Sequence, residues 1–129
     1  MIELQFSPEV LDRIRARGDA YHERAYLFVL ASIEFLQSRL AQRRHVSGEE
    51  LAWCCRDFAI RQFGPMSRTV LEHWGVRRSD DFGRIVFTLV EVGLLVTQPG
   101  DREEDFAGRY DFVEAFAEAH VWSGQPGQC

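Results

Sequence analysis

Apolar residues recur every three or four positions through most of the chain, the spacing of helices with a buried face. The strongest stretch covers residues 20–43. There Tyr21, Ala25, Phe28, Val29, Ser32, Phe35, Leu36 and Leu40 share one face, while Leu27, Leu30 and Ile33 cover much of the remainder. A helix apolar nearly all round packs on several sides, so this one is expected at the centre of the fold. Ahead of it, Ser7 and Pro8 supply an N-cap and a first-turn proline. Val10, Leu11 and Ile14 follow as an apolar stripe, and Gly18 closes it.

"RHVSGEEL" marks the next boundary. Ser47 followed by Glu50 predicts a capping box, and Val46 is placed to staple onto Leu51. A helix over about 48–62 aligns Leu51, Cys54, Cys55, Phe58, Ala59 and Gln62, and Gly64-Pro65 stops it. A short helix from Met66 or Ser67 carries Val70, Leu71 and Trp74 to Gly75. A third, over about 81–93, carries Ile85, Val86, Leu89 and Val90 to Gly93.

The period then changes. "LLVTQ" (94–98) predicts a strand, "PGDREED" (99–105) a turn and "FAGRYDF" (106–112) a return strand. A short helix from Phe112 to about His120 and a loose tail over 123–129 complete the chain. The order helix, short helix, helix, hairpin over 48–112 predicts a mainly α, winged-helix-like three-helix unit with a small β-hairpin. A long central helix precedes it, all within one globular domain over 1–122.

Composition fits that outline. The 129 residues are 46% hydrophobic and 27% charged, as in an ordinary globular domain with one core. The run Ala25–Leu36 includes Glu34 and is too short to span a membrane, which takes ~20 apolar residues. No secretion signal is read at the start, so a cytoplasmic protein is expected. Three cysteines, two of them adjacent at Cys54 and Cys55, make neither a disulfide framework nor a Cys-x-x-Cys motif. All fifteen basic residues counted as Lys or Arg are Arg, and Asn is absent too. Codons for Lys and Asn both begin with AA, so a GC-rich genome explains the two absences together.

Charge sharpens the picture. The net charge is −5, yet 39–78 is basic and 99–118 acidic. A winged helix on nucleic acid presents donors from its recognition helix and basic residues from its wing. Here the third helix offers Asp80, Asp81, Arg84, Thr88 and Glu91 outside its apolar face, and the wing adds Asp101, Glu103, Glu104 and Asp105. Such a surface repels phosphate. Nucleic acid is the less favoured partner, and its candidate contacts are Arg39, Arg43, Arg44, Arg68, Arg77 and Arg78 instead.

Chemistry adds little. His22, His45, His73 and His120 pair with no second ligand at a metal spacing, so no metal is expected. No P-loop, Gly-x-Ser-x-Gly or Gly-x-Gly-x-x-Gly is present, and no cofactor is expected. Cys54 and Cys55 fall in mid-helix, away from the positive N-terminus that favours a thiolate. Aromatics are plentiful: Trp53, Trp74, Trp122, Phe82, Phe106, Tyr110, Phe112 and Phe116. "EEDFAGRYDFVEAF" interleaves them with acids, the composition of an interface core and rim. The favoured reading is a non-catalytic protein-interaction module, with a second copy of the chain among the candidate partners. Its contact residues are Glu103, Glu104, Asp105, Phe106 and Tyr110. Behind it stand a nucleic-acid-associated winged helix using the arginines, and a small enzyme without a recognisable motif.

Four blocks carry a resemblance: "RHVSGEEL", "FGPMSRTVLEHWGV", "DFGRIVFTLVEVGLL", and the pair Glu104–Phe106 and Tyr110–Phe112. In look and order they resemble a family of uncharacterised bacterial proteins described chiefly from Planctomycetes and Verrucomicrobia, over roughly residues 20–116. The resemblance implies no activity, cofactor or catalytic residue. It does imply that Gly64, Gly75, Gly83 and Gly93 answer backbone or packing requirements.

Overall fold

The computed structural model describes residues 8–16 and 21–117. Among these residues six α-helices run in the order α1 (Pro8–Ala16), α2 (Glu23–Ser38), α3 (Gly48–Phe63), α4 (Ser67–His73), α5 (Ser79–Glu91) and α6 (Phe112–Phe116). Single 3-10 turns occupy Gly64–Met66 and Glu103–Phe106. The expectations for Ser7, Gly18, His120, Trp122 and the 123–129 tail fall outside the described residues.

The central helix is shorter than its pattern suggests. It starts after His22, whose Nδ1 accepts from the Arg24 N–H at 3.0 Å. It stops at Ser38 because Gln37 offers the chain a substitute for further helical bonds. Its amide group donates to the Arg44 carbonyl at 2.5 Å and accepts from the Arg44 N–H at 3.1 Å, folding 39–47 back as a connector. The predicted capping box then opens α3: Ser47 Oγ accepts from the Glu50 N–H at 3.1 Å, and Glu50 Oε1 accepts from the Ser47 N–H at 2.9 Å.

Helices α2 and α3 lie antiparallel. Phe35 meets Phe58 at 5.0 Å between ring centroids, and Phe28 meets Phe63 at 6.0 Å. Helix α5 closes the core, with Phe82 6.3 Å from Phe28. Ala25, Val29, Ala52, Ala59, Ile85 and Leu89 are buried where these three helices meet. Asp81 ties the α5 start to the entry of α2. One carboxylate oxygen accepts from the Tyr21 hydroxyl at 2.5 Å, and the other caps the Arg77 and Arg78 N–H groups at 2.8 and 3.0 Å.

Two glycines end helices in the left-handed region. Gly75 (φ 93°) allows Val76 N–H to reach the Leu71 carbonyl at 2.9 Å, and Gly93 (φ 88°) allows Leu94 N–H to reach Leu89 at 2.9 Å. Both are Schellman closures.

The β-hairpin is not there. Among the described residues no strand forms, so the fold is helical and wingless. After Gly93 the segment Leu95–Gln98 runs without regular structure. The expected return strand is instead a 3-10 turn, a tight bend and α6. The physical reason lies in side chains at the start of α5. Ser79 Oγ donates to the Phe106 carbonyl at 2.7 Å and accepts the Arg109 N–H at 3.0 Å, while Asp80 accepts the Gly108 N–H at 3.2 Å. Backbone groups that a second strand would have engaged are taken by a helix terminus.

Candidate functional site: an apolar cleft beside an unpaired segment

Where the wing was expected, a cleft opens. Its floor comes from the outer faces of α2 and α5 and the first turn of α3: Ile33, Leu51, Val86, Phe87 and Val90. Leu95 and Phe106 close it from the segment that follows α5. Its volume is about 180 Å³, below the roughly 300–1,000 Å³ of drug-sized ligand pockets. One or two apolar side chains fit such a space better than a substrate does.

The rim is polar and internally paired. Arg44 grips Glu50 with both guanidinium nitrogens, at 2.7 and 3.3 Å, and donates to the His45 carbonyl at 2.8 Å. That grip, with the Ser47 N–H, pulls the Glu50 carboxyl down to about 2. His45 Nε2 lies 3.0 Å from Asp101, joining the α2–α3 connector to the far loop. Asp101 also accepts the Gln98 N–H at 2.8 Å, and Asp105 the Arg102 N–H at 3.0 Å.

Beside the cleft two apolar side chains face solvent. Val96 is 85% exposed and Leu94 42%. The N–H and C=O groups of Val96 and Thr97 have no hydrogen-bond partner among the described residues. The sequence pattern marked this segment as a strand but gave no hint that its mate would be missing. His45 and Asp101 were read separately, as a histidine without a metal partner and as a wing acid, and Phe87 was not singled out; their convergence depends on the path of the α2–α3 connector, which periodicity does not encode.

The five residues expected to contact a partner separate sharply. Glu104 is exposed, Glu103 and Asp105 are half-buried, and Phe106 is 2% exposed. Phe106 is locked in place: a Cβ on Gly48 would come within 2.9 Å of its ring, and one on Gly83 within 2.9 Å of the Glu103 carbonyl. Tyr110 donates to the Ala52 carbonyl at 2.7 Å and packs on Trp53 at 5.0 Å, and burial raises its hydroxyl pKa. Both aromatics belong to the body of the protein, and Glu104 is left as the accessible member.

The arginines do not form one face. Arg39, Arg43 and Arg44 sit at the C-terminal end of α2, Arg43 paired with Glu34 at 2.9 Å and Arg39 5.1 Å above the Phe35 ring. Arg77 and Arg78 sit near its N-terminal end, where the His22 N–H meets the Trp74 carbonyl at 3.0 Å, and Arg68 lies on the first turn of α4. Sixteen residues of α2 separate the groups, about 24 Å. Arg68 is also paired, with Glu72 at 2.8 Å.

Among the described residues no cluster of three His, Cys, Asp or Glu side chains is arranged to hold a metal ion. Cys55 is fully buried, and burial pushes its thiol up to about 12, so it offers no thiolate at neutral pH. No described helix is long and apolar enough to cross a membrane. Comparison with protein-family models, curated proteins and solved structures finds no match to this chain.

Proposed function

We propose that this chain is a non-catalytic protein-interaction module whose docking surface is the cleft together with Leu94, Val96 and the exposed Glu104. The observation that carries the reading is the juxtaposition of an apolar cleft with an unpaired, apolar, solvent-facing segment. Hydrophobic groups ringed by paired charges form the core-and-rim pattern of a partner surface. The cleft volume suits a side chain of such a partner, and the polar groups on its lining are engaged with one another, Ser47 Oγ accepting the Glu50 N–H and His45 pairing with Asp101.

The nucleic-acid reading draws no comparable support, because its cations are divided between two ends of the molecule and three of them are paired. Phosphate binding needs several free cations along one track.

Capture from native lysate with nuclease present tests the proposal. Tagged wild-type chain is compared with Val96→Asp and Glu104→Arg, both changes at exposed positions. The expected result is one or more nuclease-resistant companions with the wild type, reduced or lost with each variant. The same companions in all three captures would count against this surface.

A further inference from the structure

The segment beside the cleft also indicates who one partner is. We infer that two copies of this chain pair through residues 94–98 as an antiparallel two-stranded ribbon about a two-fold axis, building between molecules the hairpin that neither makes alone. This deepens the interaction reading and rests on it.

Three observations converge. "LLVTQ" has strand composition, rich in β-branched and aliphatic residues, yet it finds no mate among the described residues. Val96 and Thr97 keep both backbone donors and acceptors open, the template to which another strand adds. The stretch 92–100 holds no charged residue in a chain of net charge −5. Two copies therefore approach here without setting acid against acid, whereas contact through the nearby 101–105 loop would oppose Asp101, Glu103, Glu104 and Asp105 to themselves.

The geometry of an extended chain fits. Side chains alternate, so Leu94 and Val96 share one side and Leu95 the other. Leu95 packs against the core of its own copy, while Val96 and Leu94 face out. A lone two-stranded ribbon is marginal in water, but one backed by helices is not. Here Leu95 fixes each strand onto its own α5. With the axis through Val96, that residue faces its own twin, Leu95 faces Thr97, and Leu94 faces Gln98. The same patch serves both copies, which is the closed, isologous form of contact.

Facing its twin makes residue 96 diagnostic. Like charges placed directly opposite in a ribbon repel, and opposite charges attract. Sedimentation velocity at ~0.1 mM, a concentration that reads even weak association, should find the wild type dimeric. Val96→Asp alone and Val96→Arg alone should each be monomeric, with helical circular dichroism unchanged. An equimolar mixture of the two should dimerise again, with native mass spectrometry finding mainly the mixed pair.

A monomeric wild type overturns the pairing. So does a dimer that persists in both charged variants, since it must then use another surface. So does a mixture that stays monomeric. The wider reading is judged separately: if the wild type is monomeric but Val96→Asp still strips companions from the captured chain, the docking surface stands and the second copy is not its occupant.

Discussion

Phe106 sits in a string of acids, and acid-aromatic alternation is how an interface looks when only the local sequence is visible. Whether its ring points out or in is decided elsewhere, by Gly48 on α3 and Gly83 on α5, whose missing side chains leave the space it fills. Neither glycine lies near residue 106 in sequence, so the burial was not legible. Phe106→Ala should cost about 3–5 kcal/mol, the range for emptying a well-packed aromatic site. Gly83→Ala should cost about 1–3 kcal/mol, because the added methyl forces the Glu103 carbonyl or Phe106 to move. Urea unfolding monitored by circular dichroism checks both. A neutral Phe106→Ala would mean the 103–106 turn is not docked, and the cleft would lose one wall.

Among the elements, α3 was the most legible, and for a local reason. Its start is written in Ser47 and Glu50, two residues that satisfy each other's backbone groups without help from the rest of the fold. The failed hairpin is the converse case. A strand has no such self-sufficiency: its bonds go to a mate, and the mate's groups were claimed by Ser79 and Asp80. The legible box also carries a pH signature. Glu50 is held at about 2 in the folded chain against 4.5 for the free group, chiefly by Arg44 and then by the Ser47 N–H. A lowered folded value means the contribution is fully present above about 4.5 and is lost as pH falls toward 2. Solvent screens this partly exposed pair, so the amount is held to about 1 kcal/mol or less. Thermal melts from pH 6 to pH 2, about the span of that titration, should show a shallower acid decline for Glu50→Gln than for the wild type. Parallel curves would mean that the Arg44–Glu50 grip is not made in solution.

At the scale of the whole molecule, order is unevenly distributed, and that distribution is measurable. Helices α2, α3 and α5 hold one another through Val29, Ala52, Ala59, Ile85 and Leu89, all at 0% exposure, so their central amides open only when much of the core does. The segment after Gly93 is tied down by Leu95 alone among its apolar residues, and Val96 and Thr97 spend their amides on solvent. Helix content was readable because it follows from periodicity within one chain, whereas the core of α2, α3 and α5 is not the winged unit over 48–112 that the element order suggested. The unpaired state of 94–98 was not readable, since strand composition does not say whether a mate exists. Hydrogen exchange at two protein concentrations separates these cases. In dilute solution Ile85 and Leu89 amides should exchange slowest, and Val96 and Thr97 amides near the rate of an unstructured peptide. On raising the concentration, α5 should be unchanged while one of Val96 and Thr97 gains protection, since adjacent amides point to opposite edges of a strand. Protection already present at high dilution would place the mate within the same chain, and the cleft would then be covered by the protein itself.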